Sequence, residues 1–243
     1  MKHKQTSVRT IKKNISKVLE SSSDHRELLE LTQKSLLKLI NALFSFLYHK
    51  NPVIKWNTVI AMGAAVSELA DQDMESARNI IRRLMWNLND ESGGIGWGSV
   101  EAMGEILAVN AALAREYASV LLSYGREDGN YQEHELMQRG VLWGIGRLYE
   151  ARPEITGKEA AEHIIPYIKS NDATVRGLAA RVLGILEYDK SRSELELLTG
   201  DETPVQLFLK NRQITSTVKE QAEKALERIK NRKHIIPLEG SEE

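Results

Sequence analysis

Three groups of side chains in this sequence have the types and spacing to do chemistry. Trp97 and Glu101 lie four residues apart, about one helical turn, and Arg139 and Trp143 repeat that separation further along. Trp56 and Arg181 fall at matching places in neighbouring segments. An indole, a carboxylate and a guanidinium on one helical face form a surface for another molecule, because Trp and Arg are enriched where binding energy concentrates. The second group is the segment RRLMWNLNDESGGIGWG (82–98), which carries Arg82, Arg83, Trp86, Asp90, Glu91 and four glycines. A glycine-rich loop entering a helix can aim backbone N–H groups at an anion. Here Asp90 and Glu91 would repel phosphate, and no Gly-Lys-Ser/Thr sequence follows, so this is not a nucleotide loop. It reads instead as an inter-helix turn with a binding edge. The third group is Glu133–His134–Glu135, a single His-Glu pair among six scattered histidines. The chain has no cysteine, which removes disulfides, thiol nucleophiles and cysteine-held metals together. No catalytic residue, metal ligand set or cofactor is assigned.

These residues sit on a repeated framework. WNTVIAMG (56–63) recurs as WGSVEAMG (97–104), and RGVLWGIG (139–146) and GLAARVLG (177–184) continue the series. The closing glycines Gly63, Gly104, Gly146 and Gly184 are spaced by 41, 42 and 38 residues. An apolar residue precedes each by nine positions: Ile54, Ile95, Met137 and Val175. A period near 40 is that of a two-helix repeat. The helical apolar spacing of 75–88, 111–125 and 158–169 supplies the first helix of each pair, the last with a capping box from Thr156 to Glu159. At 100° per residue the glycines and Trp56, Trp97, Arg139 and Gly177 share one stripe, away from the apolar face. Two further helices are predicted ahead of the repeats, over 6–20 and 25–48, the latter capped by Asp24 and Glu27. Downstream, TPVQLFLKNRQITST (203–217) alternates apolar and polar residues about a turn at Lys210–Gln213, which predicts a β-hairpin. A last helix from Thr217, with Glu220 completing its cap, runs to about Arg232.

The segment Asp172–Ala173–Thr174–Val175–Arg176, followed by Ala179–Ala180–Arg181–Val182–Leu183–Gly184, resembles the HEAT family, in particular the HEAT-like repeats of phycobilisome lyases. Earlier copies carry Lys55, Gly96 and Gln138 where this pattern has its arginine. The whole chain also looks like a group of prokaryotic HEAT-repeat proteins. The resemblance implies an all-α, right-handed α-α superhelix, to which the alternation of 203–217 adds a small C-terminal β-hairpin. It divides the chain into a helical cap (1–49), repeats (50–188) and a hairpin with capping helix and tail (189–243), all in one continuous domain. It also places the second helix of each repeat on a concave wall. Trp56, Trp97, Glu101, Arg139, Trp143 and Arg181 would then line that wall, either as inter-repeat packing or as the mouth of a binding surface. HEAT-like deoxyhypusine hydroxylases hold two irons through repeated His-Glu pairs, and the lone His134–Glu135 pair does not meet that requirement.

The composition narrows the function. The 243 residues carry 33 Lys+Arg against 34 Asp+Glu, a net charge of −1, and nucleic-acid binders are usually basic over a face. The basic tract Lys2–Lys17 is the exception. HEAT-like alkylpurine DNA glycosylases use a Trp, an acid and an Arg in a concave cleft, so a nucleic-acid-binding protein of that architecture is the alternative. No apolar run reaches the roughly 20 residues that span a bilayer, and the chain is read as cytoplasmic. The expectation is a scaffold or adaptor whose partner is another protein.

Overall fold

The computed structural model describes residues 8–89, 96–155 and 160–232. Asp90, Glu91, Ile95, the Thr156–Glu159 capping box and the first half of the basic tract lie outside the described residues. The chain divides into two compact units, Met1–Leu121 and Leu122–Glu243.

The first unit opens with α1 (Val8–Leu19), α2 (His25–Glu30) and α3 (Leu36–Leu43). A single helix over 25–48 is therefore not formed. Gln33 and Lys34 take left-handed φ of 58° and 59°, and the Thr32 hydroxyl bonds the Leu29 carbonyl at 2.9 Å. Ser35 then caps a fresh helix by accepting from the Lys38 N–H. The break lets Leu28, Leu36, Leu39, Ile40, Leu43 and Leu47 all reach the core. The predicted Asp24 cap is present and accepts from the Arg26 N–H at 2.9 Å.

Next come α4 (Pro52–Gln72), α5 (Met74–Asn89), α6 (Ser99–Val109) and α7 (Ala111–Ser123), the last ending just past the unit's boundary. Asn51 caps α4, and Pro52 begins it where the missing N–H costs nothing. α4 packs against α3, α5 and α6. Gly63 is the reason α4 and α6 can approach: a Cβ there would lie 2.6 Å from Glu105 Cγ. Gly98 precedes α6 at φ +81°, with Leu47 O only 2.2 Å from where a Cβ would stand. Both the backbone angle and the space exclude any other residue.

The second unit contains α8 (Glu135–Ala151), α9 (Ala160–Ile164), α10 (Ala173–Ile185), α11 (Arg192–Leu197) and α12 (Val218–Arg232), with strands β1 (Pro204–Leu209) and β2 (Arg212–Thr217). The segment predicted as a helix to 169 changes at Ile165 into a tighter 3-10 turn, with Pro166 near its start. The hairpin forms as the alternation predicts, Pro204 pairing with Thr217 and Leu209 with Arg212. Its turn is shorter than expected: Lys210 and Asn211, both with positive φ, close it alone.

Repeat glycines again mark close helix contacts in this unit. A Cβ on Gly146 would meet Val182 of α10 at 3.3 Å, and one on Gly184 would meet the Cα of Ala225 in α12 at 2.6 Å. α12 starts where its cap predicts, the Glu220 N–H donating to Thr217 Oγ1 at 3.1 Å. Among the described residues no helix is long and apolar enough to cross a membrane.

Candidate functional site

In the first unit, Trp97 stands in the turn before α6 and is 44% exposed. Trp56 on α4 is half-buried, with the Lys55 ammonium 5.0 Å from its ring centre. Glu101 lies inside: it is 6% exposed and accepts from Lys55 Nζ at 2.6 Å. That carboxylate joins α4 to α6 rather than facing a ligand. On α5, Arg82 bonds Glu75 and Asn79 at 2.6 and 2.7 Å. Arg83 bonds Asn41 Oδ1 at 2.6 Å and lies over the Phe44 ring at 3.8 Å. Trp86, one turn on, is 75% exposed.

In the second unit, the charged members of the stripe are paired within the chain. Arg139 donates Nε to Asp172 Oδ1 at 3.0 Å and makes a second, shorter bond from Nη2. Asp172 also caps α10 by accepting from the Val175 N–H at 2.9 Å. Burial pushes its carboxyl up, but Arg139 and the Val175 N–H more than offset this and hold it below the usual carboxylate value. Arg181 pairs with Glu150 at 2.6 Å. Trp143, expected on an open stripe, is 7% exposed. Its indole N–H donates to the Phe208 carbonyl at 2.6 Å, because β1 closes over it. The structure does bring Trp143 and Arg181 together, on the wall of a cavity of about 410 Å³ beside the Lys210–Asn211 turn.

Another opening in this unit, of about 580 Å³, lies between the turn before α8 and the helix before α10. Glu127, Asp128, Glu133, Glu135 and Glu162 line it, against a single lysine, Lys169. Asp128 is neutralised by Arg126 at 2.7 Å. Among the described residues Glu127, Glu133 and Glu135 have no ion-pair partner. The rings of Tyr131 and Tyr167 form part of the wall, 6.4 Å apart and tilted by 38°. The Tyr167 hydroxyl donates to Gly125 O at 3.1 Å. Burial first, with Tyr131 and Glu127 adding to it, raises its pKa, so this phenol stays neutral.

Gln138 also lines the cavity and is 7% exposed. Its amide nitrogen donates to Gln132 O at 3.1 Å, Glu133 O at 3.2 Å and Tyr131 Oη at 3.2 Å. The equivalent residue of the next repeat is Arg176, which donates to Ser170 O and Asn171 O at 2.8 and 3.0 Å, the same two positions of its own loop. Arg176 then reaches on to Asp201 at 2.6 Å. The two side chains tie down the same loop, but only one brings a charge. His134 accepts from the Leu136 N–H at 3.1 Å and caps α8, so the His-Glu pair is explained as helix initiation.

Sequence reasoning noted Gln138 as a departure from the arginine pattern without seeing the cavity. The acids come from three stretches, 127–128, 133–135 and 162, that only the folded turns assemble. The local signal was their composition beside a position where the repeat has lost its cation.

No known family profile matches the chain. A protein of Archaeoglobus fulgidus described only as uncharacterized is 30% identical over 108 residues, 44% of this chain and 52% of that one. The chain thus spans about half the length of this curated relative. Among solved structures, an engineered protein is similar at TM-score 0.57 and 14% identity, over 95% of both chains. A designed armadillo repeat protein is similar at 0.54 and 16%, over 94% of this chain and 95% of that one. A designed armadillo repeat protein in complex with the peptide (KR)4 is similar at 0.53 and 14%, over 94% and 95%. At such identities the likeness carries the fold: an all-α helical-repeat solenoid with a two-stranded hairpin near its C-terminal end.

Proposed function

We propose that this chain is a protein-binding scaffold, acting in the cytoplasm, that presents aromatic and charged side chains on rigid repeat helices. The observation that carries the reading is the exposure of Trp86 and Trp97. Keeping two large indoles in water on well-packed elements forgoes roughly 1.5–3 kcal/mol of burial each, and such side chains are the usual anchors of protein interfaces. The fold likeness supports the same class, since one similar structure is a complex with a peptide and another was designed for modular peptide recognition. The pairing of Glu101 with Lys55 weighs against the glycosylase-like alternative, which needs an acid open to a substrate. The binding face we propose keeps Trp97 from the expected concave stripe and joins to it Trp86 from the expected loop group.

The test is capture from native cell extract, with wild type and a Trp86→Ala/Trp97→Ala variant compared side by side. A protein retained by the wild type and lost by an equally stable variant is the expected result. Retention of duplex DNA in place of protein, falling steeply with salt, overturns the proposal.

A further inference from the structure

Arg176 and Arg181 lie on the same helix, α10, and are covered to almost the same extent, their side chains 17% and 14% exposed. Their pairing differs. Arg176 uses its whole fork: Nε and Nη2 donate to Asp201, and Nη1 donates to the Ser170 and Asn171 carbonyls. Arg181 donates from Nη2 to Glu150 Oε2 at 2.6 Å. Among the described residues its Nε and Nη1 meet no acceptor, and these atoms carry three of the five N–H groups of a guanidinium. The fully buried side-chain atoms left without a partner are Ser99 Oγ and Tyr149 Oη. The Arg181 nitrogens are not among them, so its unmet donors are open to solvent. The charge is under-compensated too. Burial pulls the Arg181 pKa down, Glu150 opposes this, Arg228 on α12 adds to the fall, and the balance stays below the ordinary arginine value.

The space beside Arg181 is the cavity of about 410 Å³ at the Lys210–Asn211 turn, a size typical of small-ligand sites. Leu142, Trp143, Leu178 and Phe208 give it an apolar floor. The two rings lie 6.4 Å apart, tilted by 48°. The Trp143 N–H is already held by the Phe208 carbonyl, so this floor offers ring surface and leaves the polar contacts to the rim. Lys210 stands on that rim with left-handed φ of 52°, in a turn that usually takes Asn or Gly there. Among the described residues its ammonium has no ion-pair partner. Glu150, already bound to Arg181, is the carboxylate on the wall. A partly paired cation and an exposed ammonium therefore meet above an aromatic floor.

We propose that this cavity binds a carboxylate borne on an apolar body, the carboxylate between Arg181 and Lys210 and the apolar part against Trp143 and Phe208. A planar carboxylate matches the parallel donors of a guanidinium fork. A phosphate suits the site less well: it brings a second negative charge towards Glu150 and gains nothing from the floor. The ligand class has two sources, a free organic acid and the C-terminal end of a peptide whose last residue is apolar. The site lies wholly in the second unit and does not depend on Trp86 or Trp97.

The experiment titrates the full chain in a calorimeter with phenylacetate, with neutral phenylacetamide, and with the peptide Gly-Ser-Gly-Phe carrying a free or an amidated C-terminus. Saturable binding of phenylacetate points to a free acid as the source, and binding of the free-ended peptide alone points to a chain end. In either case the matching amide should bind roughly tenfold more weakly or not at all. Arg181→Gln should weaken binding of the acid by roughly tenfold or more. Lys210→Asn removes the ammonium and suits the left-handed turn, so the weaker binding expected of it cannot come from unfolding. Failure of both phenylacetate and the free-ended peptide to bind overturns the site. Equal binding by wild type and both variants overturns it as well, as do amides that bind as tightly as the acids.

Discussion

Adding one methyl group at each of three repeat glycines should give three different results. Gly177, Gly146 and Gly184 all lie inside helices, so replacement by Ala favours the helix by about 1 kcal/mol at each. The space differs. At Gly177 the new Cβ would sit 3.7 Å from Val205 and 3.8 Å from Gln221, which is ordinary contact. Gly177→Ala should therefore stabilise by about 1 kcal/mol. At Gly146 the nearest atom is Val182 Cγ2 at 3.3 Å, the end of a side chain that can shift slightly, and the net change should be near zero. At Gly184 the methyl would lie 2.6 and 2.7 Å from the Cα and Cβ of Ala225. That is roughly 1 Å inside the favourable carbon–carbon separation. Those atoms belong to the α12 frame, so the whole helix must move. Overpacking of this kind costs about 1–3 kcal/mol, and its upper end leaves a net loss of about 1–2 kcal/mol. For a chain of this size each kcal/mol moves the melting temperature by about 2–4 °C. Gly177→Ala and Gly184→Ala should then differ by roughly 5–10 °C in melts followed by far-UV circular dichroism. If Gly184→Ala melts at or above the wild type, the close approach of α10 and α12 is not what that glycine serves.

Other substitutions probe separate features. Trp86→Ala and Trp97→Ala should each leave folding within about 0.5 kcal/mol of wild type, and a larger shift in urea midpoint would mean these rings are packed. Trp143→Phe keeps most of the ring but strips the Phe208 carbonyl of its donor, which should cost about 1–3 kcal/mol and loosen the hairpin, read as faster amide exchange over 204–217. Asp172→Asn should cost about 1–2 kcal/mol at neutral pH, a charge-assisted bond discounted because Arg139 is partly in water. The Asp172 carboxyl is held below its ordinary value of 3.8 in the folded chain, so its contribution is present above that pH and is lost as pH falls through the lower folded value. Acid titration of stability should therefore be shallower below about pH 4 in Asp172→Asn; parallel curves for variant and wild type would refute this assignment.

Much of the framework was legible because it depends on short-range rules. The glycine period reports close helix contacts, tightest at Gly63 and Gly184 and looser at Gly146. The hairpin showed itself by alternation, and the caps at Asp24 and Thr217 by residue type. The break between α2 and α3 was not legible, since Gln33 and Lys34 carry no turn signature and adopt left-handed backbone only because the core beyond them demands a new direction. α11 is only six residues long, too short to leave a periodic trace. The site was harder still. Trp143 finds its partner 65 residues away in a strand, and nothing around position 143 announces that contact. The charged residues on the predicted stripe were correctly placed on their helices but are consumed by ion pairs between elements.

The close seat of α12 on α10 also sets how this architecture can change length. α6 is buried along nearly its whole circumference, from Ser99 to Ala108. α12 buries only Val218, Gln221, Ala222, Ala225 and Ile229, one face of the helix, and turns Lys219, Glu223, Lys224, Glu227 and Arg228 outward. It occupies the flank on which another repeat would stack and offers that repeat no apolar surface in return. A further repeat stacked on that flank would have to bury Glu223, Lys224, Glu227 and Arg228, so α12 resists lengthening there.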